Sequence, residues 1–296
     1  MKKICVAALL SSALFHAASA AETFDIAITV DDLPVHGQLP LHMTRLGIAD
    51  AYLQALAAHH VPEAYGFVNA IGIKNEPGSE AVLDAWRKAG YPLGNHTYSH
   101  MNLDSAASLE AWQADVVAGE PEIASRMTGA DWHYLRYPFL AAGSARHDAA
   151  LAYLRGRGYR VADVSVSFDD WMYSDTYARC LAKGDTATIQ AMKAQYLASV
   201  DGAIAQMKTN SRRVYGRIIP QVLLAHIGGW SAATLPDVLS RLDAAGAHYV
   251  TLAQAQADPA YAAPGSGTVI ERTARQQGIS LAPAAPAALD IQSLCR

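Results

Sequence analysis

The chain has 296 residues, of which 51% are hydrophobic, and a formal net charge of −4 at pH 7. This mildly acidic sequence contains no run of basic residues, so it offers no electrostatic footprint for nucleic acid or for an anionic membrane surface. A length and an apolar content of this size predict one large α/β domain with a substantial core.

The first 20 residues have the pattern of a secretory signal peptide. Lys2 and Lys3 precede a largely apolar run at 4–15, which is followed by Ala18-Ser19-Ala20, a small-residue cleavage signal. The apolar run is too short for a transmembrane anchor. We therefore expect cleavage after residue 20 and an exported protein, periplasmic or secreted, without a stable membrane anchor.

Strand and helix signals alternate along the remaining chain. Short apolar segments predict strands at 24–30, 64–69, 91–96, 133–137, 159–166, 219–225 and 248–252. Between them, helices are predicted at about 42–60, 78–90, 105–128, 144–157 and 231–245. This βα alternation predicts a parallel sheet or barrel.

Two segments depart from the alternation. Residues 172–215 are helical in pattern and are interpreted as an insertion of one or two helices. Residues 257–296 are rich in Ala and Pro and are expected to form a tail with one short helix. Cys180 and Cys295 are the two cysteines beyond the predicted cleavage site, and in an oxidising compartment they favour a disulfide over the alternative of two separate thiols.

Two adjacent carboxylates, Asp31 and Asp32, directly follow the first predicted strand. Like charges repel there, so a buried pair is unfavourable unless a cation lies between them. His96 and His100 are spaced four residues apart and share a face on a helical turn. One aspartate and both histidines would suit zinc with open coordination positions, leaving the other aspartate as a base. The alternative for the histidines alone is an ordinary surface or core position.

Three further ionisable residues follow other predicted strands, and the carboxyl ends of barrel strands converge on one face. Beside Asp31, Arg136 would hold the carboxylate ionised, and Pro138 would stiffen a loop whose Phe139 N–H could serve an oxyanion. The alternative is an edge loop without a function.

The other two ionisable residues, Asp170 and His226, would form a pair. Asp170 would raise the pKa of His226 and keep it protonated, as a general acid requires, while Trp171 would wall an acyl pocket. The alternatives are a capping Asp, a core Trp and a structural His.

The motifs in this order resemble the polysaccharide deacetylases of carbohydrate esterase family 4, which contain the NodB-homology domain. The resemblance covers roughly residues 22–256. The family motif Thr-Phe-Asp-Asp corresponds to Thr29–Asp32, and His-(Ser/Thr)-x-x-His corresponds to His96–His100. Arg-x-Pro-Tyr corresponds to Arg136–Phe139, and Leu-x-His corresponds to Leu224–His226. Asp-x-x-Asp-Trp is matched loosely by Ser167–Trp171.

The resemblance implies a distorted (β/α) barrel of about seven parallel strands at 21–256, with the tail packed on it. It implies a divalent metal ion, with Zn²⁺ favoured and Co²⁺, Ni²⁺ or Mn²⁺ as alternatives, and an acetylated carbohydrate, above all an N-acetylated glycan, as substrate. It implies metal ligation by Asp32, His96 and His100. It implies base catalysis by Asp31, tuned by Arg136, and acid catalysis by His226, tuned by Asp170. Leu224 would line the acetyl pocket with Trp171, and Phe139 is a further expected substrate-binding residue.

Two departures from the family pattern leave the substrate open. Leu140 stands where Gly is usual, and Ile227 stands where Asp is common, both at the expected pocket rim. Alternatives are therefore an amide or imide hydrolase for a small substrate and a non-catalytic glycan-binding module. Non-haem iron oxygenases also use two His and one carboxylate, but the βα alternation argues against them.

Overall fold

The protein is described here from a computed structural model that covers residues 22–281 and 288–296, so the predicted signal peptide lies outside the described residues. The core is a parallel sheet in which seven strands follow the order β5-β4-β3-β2-β1-β7-β6 and β8 pairs with β1. The strands are β1 (Phe24–Leu33), β2 (Ala64–Val68), β3 (Leu93–Asn95), β4 (Tyr134–Leu135), β5 (Arg160–Val161), β6 (Val166–Ser167), β7 (Gln221–His226) and β8 (Ala247–Tyr249).

One short segment makes the sheet curl. β5 and β6 stand at opposite ends of the strand order, yet only residues 162–165 separate them along the chain. An extended chain spans about 3.5 Å per residue, so the two ends of the sheet must lie within roughly 18 Å of each other. The N–H of Ala162 donates to the carbonyl of Leu135, and that of Ser165 donates to the carbonyl of Val222. The predicted distorted barrel is confirmed, and this segment bridges its two ends.

The same segment corrects one prediction. The sequence predicts a single strand at 159–166, whereas the structure has two short strands there. The segment changes its partner from β4 to β7 between Ala162 and Ser165, and the buried Asp163 in between faces Arg272 at 2.6 Å. A change of partner depends on distant parts of the chain and leaves no periodic signal in the segment itself.

The helices surround the barrel, and all five predicted helices are present. The described helices are α1 (Arg45–Ala58), α2 (Ile71–Asn75), α3 (Glu80–Lys88), α4 (Leu109–Ala124), α5 (His147–Gly156), α6 (Ser174–Ala182), α7 (Thr186–Tyr215), α8 (Gly229–Ala244), α9 (Leu252–Ala255) and α10 (Val269–Gln276). The predicted insertion forms α6 and α7. Side chains of Thr44, Ser108 and Asp185 accept N–H groups in the first turns of α1, α4 and α7, which explains where these helices begin.

The two faces of β1 serve different purposes. Ile26, Ile28 and Val30 belong to the core cluster that also contains Trp86 of α3 and Trp230 of α8. Successive side chains of a strand point to opposite faces. Ala27, Thr29 and Asp31 therefore face the barrel interior, and the same alternation places the Asp31 side chain there at the carboxyl end of the strand.

The chain beyond β8 is fastened to the barrel and to the insertion. Val269, Ile270 and Ala274 of α10 are buried, and Cys295 forms a disulfide with Cys180 of α6. The Thr176 hydroxyl also donates to the Ile291 carbonyl at 3.1 Å. The boundaries 21–256 and 257–296 stay predictions. In the described ranges, no helix combines the length and the apolar character that a membrane crossing requires.

We predict that the disulfide stabilises the fold. Cys295→Ser should lower the free energy of unfolding by roughly 2–4 kcal/mol, because the bridge restricts the unfolded chain across a separation of 115 residues. Urea denaturation of the oxidised parent and of the variant measures the difference, and Ser293→Ala serves as the neighbouring control. Two titratable thiols in denatured, unreduced parent protein would contradict the prediction.

Candidate active site

The sequence motifs meet at the carboxyl ends of the strands. Asp31 on β1 lies in register with His226 on β7, and Arg136, which follows β4, contacts Asp31. His96 follows β3 and lies 3.6 Å from Asp31 between Nε2 and Oδ2. Asp170 follows β6 and contacts His226. Residues from five strands thus surround one volume.

Asp32, His96 and His100 form a group that fits a divalent metal ion. Their ligand atoms all lie within 4.8 Å of one another, and Asp32 Oδ1 is 3.5 Å from Nε2 of both His96 and His100. Zinc bound at about 2.1 Å by tetrahedral ligands would separate those ligands by about 3.4 Å. Asp32 Oδ1 is also buried and has no hydrogen-bond partner among the described residues. The donor set therefore suits zinc.

Both histidines present Nε2 to this group. His96 Nδ1 lies 2.8 Å from the carbonyl oxygen of Arg136, and because a carbonyl only accepts, Nδ1 is the donor of that hydrogen bond and Nε2 is the nitrogen that faces Asp32. Burial and the neighbouring His96 lower the pKa of His100 to about 4. Neutral imidazole is the form that binds metals.

The other oxygen of Asp32 reveals a residue that the sequence analysis missed. Asp32 Oδ2 lies 2.7 Å from Nδ1 of His36. Burial by itself would raise the pKa of Asp32, but the hydrogen bond to His36 and the charges of nearby histidines hold that pKa well below its usual range. The only sequence signal for this contact is that His36 lies four residues after Asp32. The Leu-Pro pair between them does not indicate that the two side chains meet.

Arg136 holds Asp31 in place inside the barrel. Its Nη1 lies 3.1 and 3.2 Å from the two carboxylate oxygens of Asp31, its Nη2 donates to Thr29 Oγ1, and its Nε donates to the Ala162 carbonyl at 2.6 Å. Arg136 is fully buried, and Asp31 is 2% exposed. The carboxylate is thereby paired and fixed in orientation.

Asp170 and His226 form a second buried ion pair. Asp170 accepts three hydrogen bonds: from His226 Nδ1 at 2.9 Å, from the His226 backbone N–H at 2.8 Å and from Ser231 Oγ at 2.7 Å. Burial would lower the pKa of His226, but the charge of Asp170 and the hydrogen bond to it raise that pKa to about 9. His226 therefore carries a proton at neutral pH.

The loops around the site hold strained backbone. Six non-glycine residues there have φ between +51° and +65°, a region that costs roughly 1–2 kcal/mol for a residue with a side chain: Asp32, Thr97, His100, Phe139, Leu140 and Asp169. Hydrogen bonds offset this cost in the histidine loop. Asn69 donates to the Thr97 carbonyl at 3.1 Å, and Asp115 accepts from Ser99 N–H and Oγ.

The expected pocket residues lie at the rim of the same volume. Phe139 is 68% exposed, and its ring lies 4.5 Å from that of His100, while Trp171 is 48% exposed beside Asp170. Leu224 is nearly buried and lies two residues before His226 on β7, so both side chains point to the same face. These positions are compatible with an acetyl pocket, and the roles stay predictions.

Comparison with known proteins extends the description of the site. The family model described as polysaccharide deacetylase matches residues 19–162, which contain both aspartates, both histidines and Arg136. No curated protein matches the chain.

Solved structures share the fold at low sequence identity. A T48 deacetylase with substrate is 19% identical with a TM-score of 0.51, and the match covers 88% of this chain and 95% of that one. A family 4 carbohydrate esterase from Streptomyces lividans, in complex with acetate, is 16% identical with a TM-score of 0.51, over 83% and 97% of the two chains. A mutant of a family 4 pseudoenzyme, with restored enzymatic activity, is 14% identical with a TM-score of 0.52, over 79% and 68%.

The family model and the barrel lead to one assignment. The matched region carries the aspartate pair at the end of β1, the histidine loop after β3 and the arginine after β4. Solved carbohydrate esterases of family 4 have the same curled parallel barrel. Residues 19–162 match the polysaccharide deacetylase family, and the fold is the one that solved family 4 carbohydrate esterases have.

Proposed function

We propose that the protein is an exported, metal-dependent hydrolase that removes acetyl groups from an N-acetylated carbohydrate. The observation that carries this proposal is the juxtaposition of three features at one barrel end. They are an orphaned carboxylate oxygen on Asp32 that faces two histidines, the arginine-bound carboxylate of Asp31, and the protonated His226 opposite.

In this proposal Asp32, His96 and His100 hold the metal ion, with Zn²⁺ favoured. When bound, a divalent ion supplies Lewis-acid polarisation of a carbonyl and lowers the pKa of water, in favourable zinc sites from about 15.7 to about 7. The catalytic steps themselves then depend on how Asp31 and His226 move protons.

Asp31 is the proposed base. Arg136 donates to both oxygens of the carboxylate and restricts its rotation. Asp31 Oδ2 lies 3.6 Å from His96 Nε2, so a water molecule beside the ligand group is within reach of the carboxylate. Asp31 takes the proton of that water as the oxygen attacks the acetyl carbon. Arg136 is a positioning residue for this step.

His226 is the proposed acid. Asp31 and His226 are register partners on β1 and β7, and parallel strands lie about 4.8 Å apart. Base and acid therefore flank one substrate volume. An amide nitrogen must be protonated before its bond to carbon breaks, and His226, with its pKa raised to about 9, can supply that proton at neutral pH.

The rim residues are the proposed contacts of the acetyl group. Leu224 would give it an apolar wall, Trp171 would cover it, and the Phe139 N–H would donate to the developing oxyanion. The backbone of Phe139 and Leu140 is held from the tail, because Gly267 N–H donates to the Leu140 carbonyl and the Ala142 N–H donates to Ser266 Oγ, both at 2.9 Å.

Several observations support a glycan outside the cell as the substrate. The predicted signal peptide and the disulfide are both typical of exported proteins. A T48 deacetylase has been solved with its substrate, and the Streptomyces lividans esterase has been solved with acetate. The exposed aromatic rings of Phe139 and Trp171 offer flat surfaces of the kind that pack against sugar rings.

We predict that Asp31→Asn strongly reduces acetate release and keeps the metal. The variant removes a proton acceptor and no ligand, so turnover should fall by roughly 10²–10⁴-fold, the usual range for general acid–base catalysis. Zinc-loaded parent and variant would be incubated with a panel of acetylated glycans, and released acetate and bound zinc would be measured. An active variant would contradict the role of Asp31. A parent that opens small cyclic imides, and releases no acetate from any glycan, would contradict the proposed substrate class.

We also predict that zinc binding requires each of the three ligand residues of this cluster. Asp32→Ala, His96→Ala and His100→Ala should each reduce bound zinc well below one ion per chain, because each removes one ligand. His248→Ala is a matched control, since His248 also pairs with an aspartate, Asp25, but at the opposite end of β1. Unchanged zinc content in both histidine variants at the site would contradict the assignment.

A third prediction concerns pH. Turnover of an N-acetyl substrate should fall as pH rises through about 9, because His226 then loses its proton. Asp170→Asn removes the charge that raises this pKa, so the alkaline limb should move down toward or below the ordinary histidine value of about 6.5. Ser231→Ala is the control, since the Ser231 hydroxyl donates to the same carboxylate and its loss leaves the charge of Asp170 in place. An alkaline limb unchanged in Asp170→Asn would rule out His226 as the acid.

A further inference from the structure

His36 lies outside the five motifs, yet its side chain reaches the centre of the site. The residue belongs to the loop between β1 and α1, and its Nδ1 lies 2.7 Å from Asp32 Oδ2. Ionised carboxylates only accept hydrogen bonds, so the nitrogen donates. The His36 side chain is 16% exposed, and its ring lies 4.9 Å from the ring of His226.

The hydrogen bond from His36 makes the two oxygens of the Asp32 carboxylate different from each other. Oδ2 is occupied by His36, whereas Oδ1 has no hydrogen-bond partner in the described chain and lies 3.5 Å from the nitrogens of His96 and His100. The terminal torsion of an aspartate is broad and roughly two-fold. Without a donor on Oδ2, rotation of the carboxylate would move Oδ1 away from the two histidines.

The loop that carries His36 is itself held in place. Arg45 donates to the carbonyls of His36 and Gly37 at 3.2 and 2.9 Å, and the same guanidinium forms two hydrogen bonds with Glu76. The N–H of Gln38 donates to Asp175 Oδ1 at 2.8 Å. His36 is therefore presented to Asp32 by a rigid segment and does not reach it from a free loop.

Gly37 contributes to this rigidity through close approach. Its φ is +62°, and a Cβ at this position would lie 2.9 Å from the Cβ of Ser174 at the start of α6. Any larger residue would push the loop away from α6 and would displace His36 from Asp32. The insertion that contains α6 thus helps to position His36.

We propose that His36 is a positioning residue that orients Asp32 for binding of a divalent cation through Oδ1 alone. The inference rests on the proposed function, because it uses the metal site assigned there. Partners that orient metal ligands typically contribute 10- to 100-fold to metal affinity. His36 is not itself assigned as a ligand, since the group of ligand atoms within 4.8 Å consists of Asp32, His96 and His100.

The test measures zinc affinity without any substrate. Zinc dissociation constants of the parent, His36→Ala and His36→Asn would be determined by competition with a chromophoric chelator. His36→Ala should bind zinc roughly 10- to 100-fold more weakly and still reach one ion per chain at saturation. His36→Asn keeps an N–H donor and should recover part of the affinity.

A matched control tests the loss of a His–Asp hydrogen bond elsewhere. His59 Nδ1 lies 2.6 Å from Asp243 Oδ2, a similar pair away from the site, so His59→Ala should leave the zinc dissociation constant unchanged. Arg45→Met loosens the His36 loop without touching Asp32 and should weaken zinc binding less than His36→Ala. This variant also keeps the test open if His36→Ala fails to fold.

Three outcomes would overturn the inference. An affinity of His36→Ala equal to that of the parent would show that Asp32 needs no such donor. Loss of zinc at saturating concentration would make His36 a ligand. Equal affinities of His36→Ala and His36→Asn would mean that the hydrogen bond is irrelevant. In the first and third cases the parent still binds zinc and the proposed function stands, whereas a parent that binds no zinc would overturn both.

Discussion

The site depends on the hydrogen bonds of the buried Arg136. Its guanidinium donates to the carboxylate of Asp31, the hydroxyl of Thr29 and the carbonyl of Ala162, and its backbone carbonyl accepts a hydrogen bond from Nδ1 of His96. A buried charge is tolerated only when it is fully paired, and breaking such a pair costs about 3–5 kcal/mol. One residue therefore couples the first strand of the barrel, the segment that bridges its ends and His96, a proposed metal ligand.

Hydrogen bonds from the barrel offset the backbone strain of the loops around the site. Residues at positive φ are concentrated in the loops that carry Asp32, His100 and Phe139. In the loop that carries His100, the buried side chains of Asn69 and Asp115 supply hydrogen bonds that offset part of this cost. Strain of this kind is typical of preorganised sites, in which the geometry is set before the substrate arrives.

How much of the structure can be predicted from the sequence depends on how far apart along the chain the interacting residues lie. Asp31, Asp32 and the histidine pair are recognised because each motif is local, and the alternation of β1 is read directly from its side chains. The change of partner at 162–165 is set by strands β4 and β7, and the contact of His36 with Asp32 is set by Arg45 and α6. Neither leaves a periodic pattern in its own segment, so both needed the structure.

The bridging segment also divides the chain into two halves with different tasks. The family model ends at residue 162, where the chain leaves β5 for the other end of the sheet. The proposed ligands and base lie before this point, whereas Asp170, His226 and the whole insertion lie after it. In the proposed function, the part before residue 162 thus supplies the ligands, the base and the rim residue Phe139, and the part after it supplies the acid and its aspartate partner. The proposed base and acid come together only through the pairing of β1 with β7, so a chain that has not closed its barrel has neither in place for the other.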